Sequence, residues 1–244
     1  MTGIIGGFMY ENSAGSSSLS TILLVQNTKN FNLRSALLAL GWDGTSVVTT
    51  NVVISPGTEI TSANISTPAF DTGAALPVGS VVTVENRGYI VGKGAKGNTS
   101  ASGAGLKAQM PISINNTGII ACGGEGGARG TIASSSYYNG VSTVHVKADG
   151  GGGGGGAGYG EGGAKNTASG GDTNANNGTK GQPGTLLYGG QGGFGGQNAY
   201  IGGNDGDRGG NIPSPYGYPA GNNAIEGYSL ITWIAAGNIY GNQV

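Results

Sequence analysis

The sequence predicts a mostly β protein with a sandwich of polyglycine II helices, one short N-terminal helix, and repeated short β-hairpins that feed the glycine helices. Two observations support this fold class. Glycine accounts for 54 of 244 residues and recurs in units of three, most clearly in the triplets of residues 189–197. Short segments of alternating apolar residues separate the glycine-rich stretches, and such alternation is typical of strands.

The longest glycine run covers residues 150–156. Three residues make one turn of a polyproline II-type helix, which forms no internal hydrogen bonds. Several such helices can bond to one another side by side, and only glycine lets backbones approach so closely. A flexible linker is the alternative for any glycine-rich segment. Disordered tracts are usually rich in charge, whereas only 9% of this chain is charged and 36% is hydrophobic, so ordered glycine helices are the better interpretation.

An internal repeat supplies the strands. Residues 82–90 and 112–120 align without a gap, and residues 231–241 form a looser third copy. Each copy predicts a strand, a turn at Asn-X-Gly and a second strand, because Asn and Gly tolerate the positive φ angles of tight hairpin turns. A further strand is expected over residues 47–54. We therefore expect stacked β units that lead into glycine helices.

The N-terminal part contains the predicted helix, from Phe31 to Leu40. Asn30 is the expected N-cap, and Gly41 supplies the left-handed residue that ends the helix. These features favour two domains: residues 1–80 for attachment or assembly, and residues 81–244 with the repeats, the glycine helices and recognition loops.

The sequence offers little for catalysis or for cofactors. His145 is the only histidine, and no nucleophile motif or carboxylate pair accompanies it, so a surface strand histidine is expected. Cys122 is the only cysteine, which excludes an internal disulfide. Residues 202–207 match a calcium-binding repeat once only, so no metal site is predicted. We expect no enzyme activity and no cofactor.

The same absences limit the partners. A net charge of −1 without a basic cluster argues against nucleic-acid binding. The N-terminus lacks the pattern of a secretory signal, and no apolar run is long enough to insert into a membrane.

Polar, tyrosine-containing segments interrupt the glycine. Tyrosine combined with Ser, Gly and Asn is typical of binding loops, because tyrosine gives a large contact area at low entropic cost. The alternative is that these tyrosines cover the glycine helices. The candidate binding residues are Tyr137, Tyr138, Asn139, Tyr188, Tyr216 and Tyr218.

Glycine motifs at residues 123–127, 150–156 and 189–196, alternating with Tyr/Ser/Asn loops, resemble the glycine-rich distal tail-fibre adhesins of T-even-type bacteriophages. The resemblance covers roughly residues 81–244 and implies a sandwich of polyglycine II helices whose loops bind the host receptor and set host range. It implies a virion protein at the tip of a tail or tail fibre, made in the host cytoplasm. Its partner on the cell would be an outer-membrane protein or a surface glycan.

Residues 1–80 do not recognisably match the attachment region of those adhesins. We expect this N-terminal part to dock onto a tail or tail-fibre protein, such as a trimeric fibre end. A virion structural or decoration protein without a receptor role is the main alternative; an ice-binding protein and a glycan-degrading enzyme are weaker ones. The candidate attachment residues are Phe31, Leu33, Leu37, Leu40 and Trp42.

Overall fold

The computed structural model describes residues 2–5, 8–12, 19–74, 76–197, 201–212 and 222–244. The chain forms two compact units, each built from separate stretches of sequence. The solenoid unit comprises Met1–Gly92, Gly103–Cys122 and Gly221–Val244, and the glycine unit comprises Lys93–Ser102 and Gly123–Ala220. The composition of the sequence had instead predicted one boundary, near residue 80.

The described residues are mostly β with one short α-helix, α1 (Leu33–Ala39), and a 3₁₀ helix at Tyr228–Leu230, which confirms the coarse fold class. The strands are β1 (Thr2–Ile5), β2 (Phe8–Asn12), β3 (Leu19–Leu24), β4 (Thr28–Lys29), β5 (Phe31–Asn32), β6 (Thr49–Ile54), β7 (Glu59–Thr61), β8 (Phe70–Asp71), β9 (Val81–Asn86), β10 (Tyr89–Val91), β11 (Leu106–Lys107), β12 (Ile112–Asn116), β13 (Ile119–Ala121), β14 (Ala133–Tyr138), β15 (Thr143–Ala148), β16 (Thr173–Ala175), β17 (Asn223–Glu226), β18 (Ile231–Ala235), β19 (Asn238–Tyr240) and β20 (Asn242–Gln243).

The solenoid unit stacks five coils, and each coil contributes one strand to each of three sheets. The first sheet has the order β1-β2-β3-β6-β9-β12-β18, the second β19-β13-β10-β7-β4, and the third β20-β17-β11-β8-β5. From coil to coil the strands pair in parallel, whereas β1 and β2 extend the first sheet antiparallel. The glycine unit is inserted into this solenoid after β10 and again after β13.

Inward-facing side chains stack in register between coils and form one hydrophobic core. In the first sheet Val52 lies beside Val84, and Val84 beside Ile114. In the third sheet the rings of Phe31 and Phe70 lie 5.0 Å apart. A single coil cannot bury its apolar face alone, so the core is stabilised by stacking, as in other repeat proteins.

The repeat identified in the sequence is real, but the predicted hairpins are wrong. The two strands of each copy belong to different sheets, and each pairs in parallel with the equivalent strand of the next copy, as in β9 with β12 and β10 with β13. The Asn-X-Gly sequence is a corner of the solenoid, and neither Asn86 nor Gly88 adopts a positive φ.

Buried asparagine side chains explain the corner. Asn86 Nδ2 donates to Asn116 Oδ1 (2.8 Å), and Asn116 Nδ2 donates to the carbonyl of Ala236 in the next coil (2.6 Å). A Cβ on Gly118 would lie 2.1 Å from the carbonyl oxygen of Gly88. Asparagine therefore links successive coils here, and glycine permits their close approach.

Helix α1 is shorter than expected, and its cap differs. Asn32 is the N-cap, with Oδ1 accepting a hydrogen bond from Ser35 N (2.9 Å). The expected cap, Asn30, has φ 52° and instead accepts from Ala63 N (2.9 Å). Phe31 belongs to β5, so the helix cannot begin there. Gly41 has φ +94°, as predicted for the residue that follows the helix.

Candidate functional site

The seven-glycine run lies at the centre of the glycine unit, and all seven residues are buried. The N–H groups of residues 151–158 donate hydrogen bonds to neighbouring segments, and every third residue bonds to the same segment. Bonds to one segment are Gly151 to Asn204, Gly154 to Asp207 and Ala157 to Gly210, at 2.8–2.9 Å. Bonds to a second are Gly152 to Thr179, Gly155 to Gln182 and Gly158 to Thr185, each 2.9 Å. Bonds to a third are Gly153 to Asn98 Oδ1 and Gly156 to Ala95, both 2.9 Å.

The carbonyl groups of this central segment (residues 150–158) repeat the same period towards three other segments. From one segment, the N–H groups of Gly130, Gly127 and Gly124 donate to the carbonyls of Gly151, Gly154 and Ala157. From a second segment, those of Gly193 and Gly190 donate to the carbonyls of Gly152 and Gly155. From a third, those of Asn166, Gly163 and Gly160 donate to the carbonyls of Gly150, Gly153 and Gly156, and all of these bonds are 2.6–2.9 Å long. The central segment therefore has six hydrogen-bonded neighbours. We call them the outer segments: 94–98, 124–131, 160–166, 179–185, 188–197 and 203–210.

The outer segments also bond to one another and close a ring around the centre. In the order 94–98, 124–131, 203–210, 188–197, 179–185, 160–166 and back to 94–98, every adjacent pair shares backbone hydrogen bonds. Examples around the ring are Asn98 N to Gly127 O, Asp207 N to Ala128 O, Gly206 N to Gly193 O, Gln182 N to Gln191 O, Gly181 N to Gly163 O and Gly97 N to Glu161 O, at 2.7–3.0 Å. These bonds satisfy backbone groups that secondary structure normally pairs.

Side chains are excluded from the seven-glycine run at the centre, residues 150–156. A Cβ on Gly153 would lie 1.7 Å from the carbonyl oxygen of Gly127, and one on Gly154 would lie 1.9 Å from that of Gly190. In the outer segments this restriction holds at positions that face a neighbouring segment, such as Gly190 beside Gln182 and Gly192 beside Gly206. In residues 189–197, for example, Gln191, Phe194 and Gln197 are exposed between mostly buried glycines.

The central and outer segments together form what we call the lattice. A three-stranded sheet, β14-β15-β16, forms a projection at one end of it. Strands β14 and β15 make an antiparallel hairpin, and β16 pairs in parallel with β15. At the hairpin turn Asn139 Oδ1 accepts from the N–H groups of Val141 and Ser142 (both 2.9 Å), and Gly140 has φ +93°. The turn therefore holds its own shape.

An ion pair between a buried aspartate and a partly exposed lysine lies where the hairpin joins the central segment. Asp149 is fully buried, and its Oδ2 lies 2.6 Å from Lys165 Nζ. Ala168 N donates to Asp149 Oδ1 (2.6 Å). Burial alone would raise the pKa of Asp149, but the Lys165 ammonium and the N–H groups of Ala168 and Gly178 outweigh it, so this pKa lies below its usual value. The pair fixes the loop at residues 165–168 to the base of the hairpin.

The comparisons with known proteins agree with this architecture. The family model "Phage tail fibre adhesin Gp38" matches residues 20–244. The chain belongs to this family. Among solved structures, the crystal structure of the gp37-gp38 adhesin tip complex of the bacteriophage S16 long tail fibre is similar, with 23% identity, a TM-score of 0.53, and coverage of 92% of this chain and 82% of that one. No curated protein sequence matches the chain.

The chain is therefore a receptor-binding adhesin of a bacteriophage tail fibre and a component of the virion. This result confirms the resemblance noted in the sequence and favours it over the decoration-protein and ice-binding alternatives. In the part of the adhesin that the structure describes, no helix is long and apolar enough to cross a membrane.

The predicted receptor-binding residues of the adhesin divide between two ends of the lattice. Tyr137, Tyr138 and Asn139 lie together at the tip of the β14–β15 hairpin, and the Tyr138 side chain is 68% exposed. Tyr188 is also exposed but lies at the opposite end, where Thr185 N donates to its carbonyl. Tyr216 and Tyr218 lie outside the described residues.

The predicted attachment residues of the adhesin lie mainly in the core of the solenoid unit. Phe31, Leu33, Leu37 and Trp42 are buried, and Leu40 is half-buried against the same core. These side chains stabilise the unit around helix α1.

Other predicted features have structural roles. His145 is exposed on β15, as expected, and its N–H donates to Asp172 Oδ2 (2.8 Å). Cys122 is buried. In the calcium-like motif, Asp205 Oδ1 accepts from Gly195 N (2.8 Å), which links two outer segments. Among the described residues no three His, Cys, Asp or Glu side chains group to hold a metal.

Val141 is 87% exposed at the hairpin turn but is not among the predicted binding residues. The signal was available, because Asn139-Gly140 between alternating residues is a strong hairpin pattern. The row of outward-facing side chains on segment 188–197 was also not predicted, although the triplets that create this row were recognised.

Proposed function

We propose that the seven segments of the glycine unit are a sandwich of polyglycine II helices that holds the recognition loops rigid. The support is the period of three in every set of hydrogen bonds, which matches the three residues per turn of this helix. Six neighbours around one central segment, which is glycine at every position except Ala157, also fit hexagonal packing of threefold helices. Preformed loops lose little conformational entropy when they bind.

We place the receptor-binding surface at the end that carries the β14–β15 hairpin. The observation that carries this proposal is the exposure of Tyr138 and Val141 on a turn whose backbone is fixed by Asn139. Aromatic and aliphatic side chains on a rigid projection are typical anchors of binding interfaces. The receptor would be an outer-membrane protein or a surface glycan of the bacterial host.

A second contact is proposed for Tyr188, Tyr216 and Tyr218. Ile212 N donates to Leu187 O (2.7 Å), so Ile212 lies beside the residue that precedes Tyr188. Because Tyr188 lies at the end opposite the hairpin, we do not expect it to contact the same patch of receptor as Tyr138.

Adsorption inhibition by purified adhesin tests the hairpin. The double variant Tyr138→Ala/Val141→Ala should block phage adsorption at least about tenfold less well than the wild type, since a hot-spot side chain contributes about 2 kcal/mol or more. The matched control is Tyr159→Ala/Val78→Ala, which truncates an exposed tyrosine and an exposed valine elsewhere. Equal inhibition by both variants and the wild type would refute the hairpin assignment. Tyr216→Ala/Tyr218→Ala in the same assay tests the second contact.

We further propose that the solenoid unit attaches the adhesin to a tail-fibre protein. The solved relative is a complex of gp37 and gp38, which supports a partner of this kind. Attachment through the N-terminal region was predicted, but the apolar residues predicted to make that contact are largely buried in the core.

The last coil is the better candidate for the contact surface. In the described chain β18, β19 and β20 each pair on one side only, so three strand edges are open together. Ile234 and Val244 in this region are exposed by 62% and 61%. Open edges favour pairing with strands of another chain. Three open edges suit a trimeric fibre end.

Co-purification with the fibre protein tests this surface. Ile234→Arg should reduce the amount of adhesin retained by the fibre protein at least about tenfold, because a buried interfacial arginine without a partner is costly. Val25→Arg, at an exposed valine beside β3 in the first coil, is the matched control. Loss of binding in the Val25 variant with full binding in the Ile234 variant would place the contact at the first coil instead.

A further inference from the structure

Segment 188–197 presents a straight row of side chains on the outside of the glycine unit. The row consists of Tyr188, Gln191, Phe194 and Gln197, and all four are exposed. Tyr188 and Phe194 are exposed by 59% and 70%. The row follows the side of the lattice, away from the hairpin tip.

Backbone hydrogen bonds fix this row on three sides. The N–H groups of Gly190, Gly193 and Gly196 donate to the run that begins at Asp149, at 2.6–2.8 Å. The carbonyls of Tyr188, Gln191 and Phe194 accept from segment 179–185 at 2.7–2.9 Å, and those of Gly190, Gly193 and Gly196 accept from segment 203–210 at 2.8–3.0 Å. The side chains are therefore displayed from a rigid backbone, so binding would order only the side chains themselves.

The spacing follows from the helix proposed above, on which this inference rests. A polyproline II-type helix rises about 3.1 Å per residue, so successive side chains of the row start about 9 Å apart and the two aromatic residues about 19 Å apart. Aromatic and amide side chains alternate along this line. The surface is thus long and narrow, unlike a pocket for a small molecule.

The side chains of the row indicate which chemical class of ligand it can bind. Aromatic rings offer apolar faces, and glutamine amides both donate and accept hydrogen bonds. Sugars match this combination because they have apolar C–H faces and hydroxyl groups that also donate and accept. The neighbouring segment adds Thr179, Gln182 and Thr185, which are exposed and uncharged, and Lys180 is the one charged residue of that segment.

Charge argues against an anionic polymer. None of the four side chains in the row is charged. On the flanking segment Arg208 Nε donates to Gly189 O (3.1 Å) and Asp205 Oδ1 accepts from Gly195 N (2.8 Å), so these charged groups already bond to the backbone beneath the row. We infer that this row binds an extended, neutral polysaccharide of the bacterial surface, separately from the contact made by the hairpin tip.

An immobilised panel of purified neutral and acidic bacterial O-antigen and capsular polysaccharides tests this inference. The full adhesin should bind at least one neutral polysaccharide. Phe194→Ala and Tyr188→Ala should each lower its affinity about tenfold or more, and Phe194→Tyr should retain binding. Lys180→Ala, at an exposed residue of the neighbouring segment, is the control and should bind like the wild type. Because Phe194 is largely exposed, the melting temperature of Phe194→Ala should match that of the wild type.

The inference is overturned by no binding to any neutral polysaccharide, by binding that Phe194→Ala leaves unchanged, or by binding to acidic polymers that depends on Lys180. The variant Tyr138→Ala/Val141→Ala separates this inference from the proposed receptor site. It should bind polysaccharide normally while inhibiting adsorption poorly. If it instead loses both, the two surfaces are not independent and the inference fails.

Discussion

A single methyl group at Gly153 tests whether the glycine run is a packed lattice. The Cβ of Gly153→Ala would lie 1.7 Å from the carbonyl oxygen of Gly127, half the 3.4 Å at which ordinary contact begins. To relieve this clash, segment 124–131 must move away by about 1.7 Å. That shift would stretch the 2.8 Å hydrogen bond from Gly127 N to Gly154 O to roughly 4.5 Å, which is beyond hydrogen-bonding distance.

The expected loss of stability follows from two contributions. Overpacking of a dense interior costs about 1–3 kcal/mol. Each backbone hydrogen bond lost adds about 1 kcal/mol, and more where a buried group stays unpaired. We therefore expect Gly153→Ala to reduce the free energy of unfolding of the glycine unit by about 3–5 kcal/mol. A flexible linker predicts the opposite sign, because Gly→Ala at an unstrained position stabilises by about 0.4–1 kcal/mol.

Calorimetry of the purified variants measures this effect, and hydrogen–deuterium exchange of the peptides that cover residues 150–158 locates it. Gly202→Ala is the matched control, since its Cβ would meet only the flexible side chain of Gln197, at 3.3 Å. If Gly153→Ala unfolds at the same temperature as Gly202→Ala, and the central amides of the wild type exchange rapidly, the run is not a packed core.

Three further predictions concern single side chains. The pKa of Asp149 is lowered in the folded state. The stability that this carboxylate contributes is therefore present above its unfolded pKa of about 3.9 and is lost as the pH falls through the folded pKa. The melting temperature of Asp149→Asn should change less than that of the wild type as the pH falls below about 4. Asn116→Ala removes a buried link between coils and leaves Asn86 Nδ2 and the Ala236 carbonyl short of a partner, so urea unfolding should show a loss of about 2–3 kcal/mol, against little change for the half-buried Asn115→Ala. Asn32→Ala removes the N-cap of helix α1 and should cost about 1 kcal/mol in the same measurement; an unchanged midpoint would mean that the cap contributes nothing.

Local patterns in the sequence identified several elements correctly. Residues 82–86 and 112–116 alternate apolar and polar side chains, and both segments are strands with buried alternate positions. The sequence could not show which strands pair, because a hairpin and a solenoid corner need the same strand–turn–strand pattern. The difference depends on where Asn86 directs its amide, which is a contact with a coil 30 residues away.

The candidate site was predicted in part. Tyr137, Tyr138 and Asn139 do lie together on an exposed projection. Tyr188 looked equivalent in composition, yet it lies at the opposite end of the lattice. The direction of each glycine segment determines which loops lie at the same end of the unit. The sequence pattern of a glycine segment is the same whether it runs parallel or antiparallel to its neighbours, so it does not reveal this direction. Likewise, the apolar residues around helix α1 were recognised, but apolar character alone does not distinguish a core from a docking surface.

The interleaving of the two units limits how the adhesin can be divided. Segment 94–98 belongs to the ring of outer segments, although 20 residues of the solenoid unit separate its stretch of chain from the rest of the glycine unit. A fragment that starts at Gly123 would lack this neighbour and leave the N–H groups of Gly153 and Gly156 without acceptors. During synthesis, the solenoid likewise cannot complete its fourth and fifth coils until the whole inserted glycine unit has left the ribosome, so the two units must finish folding together.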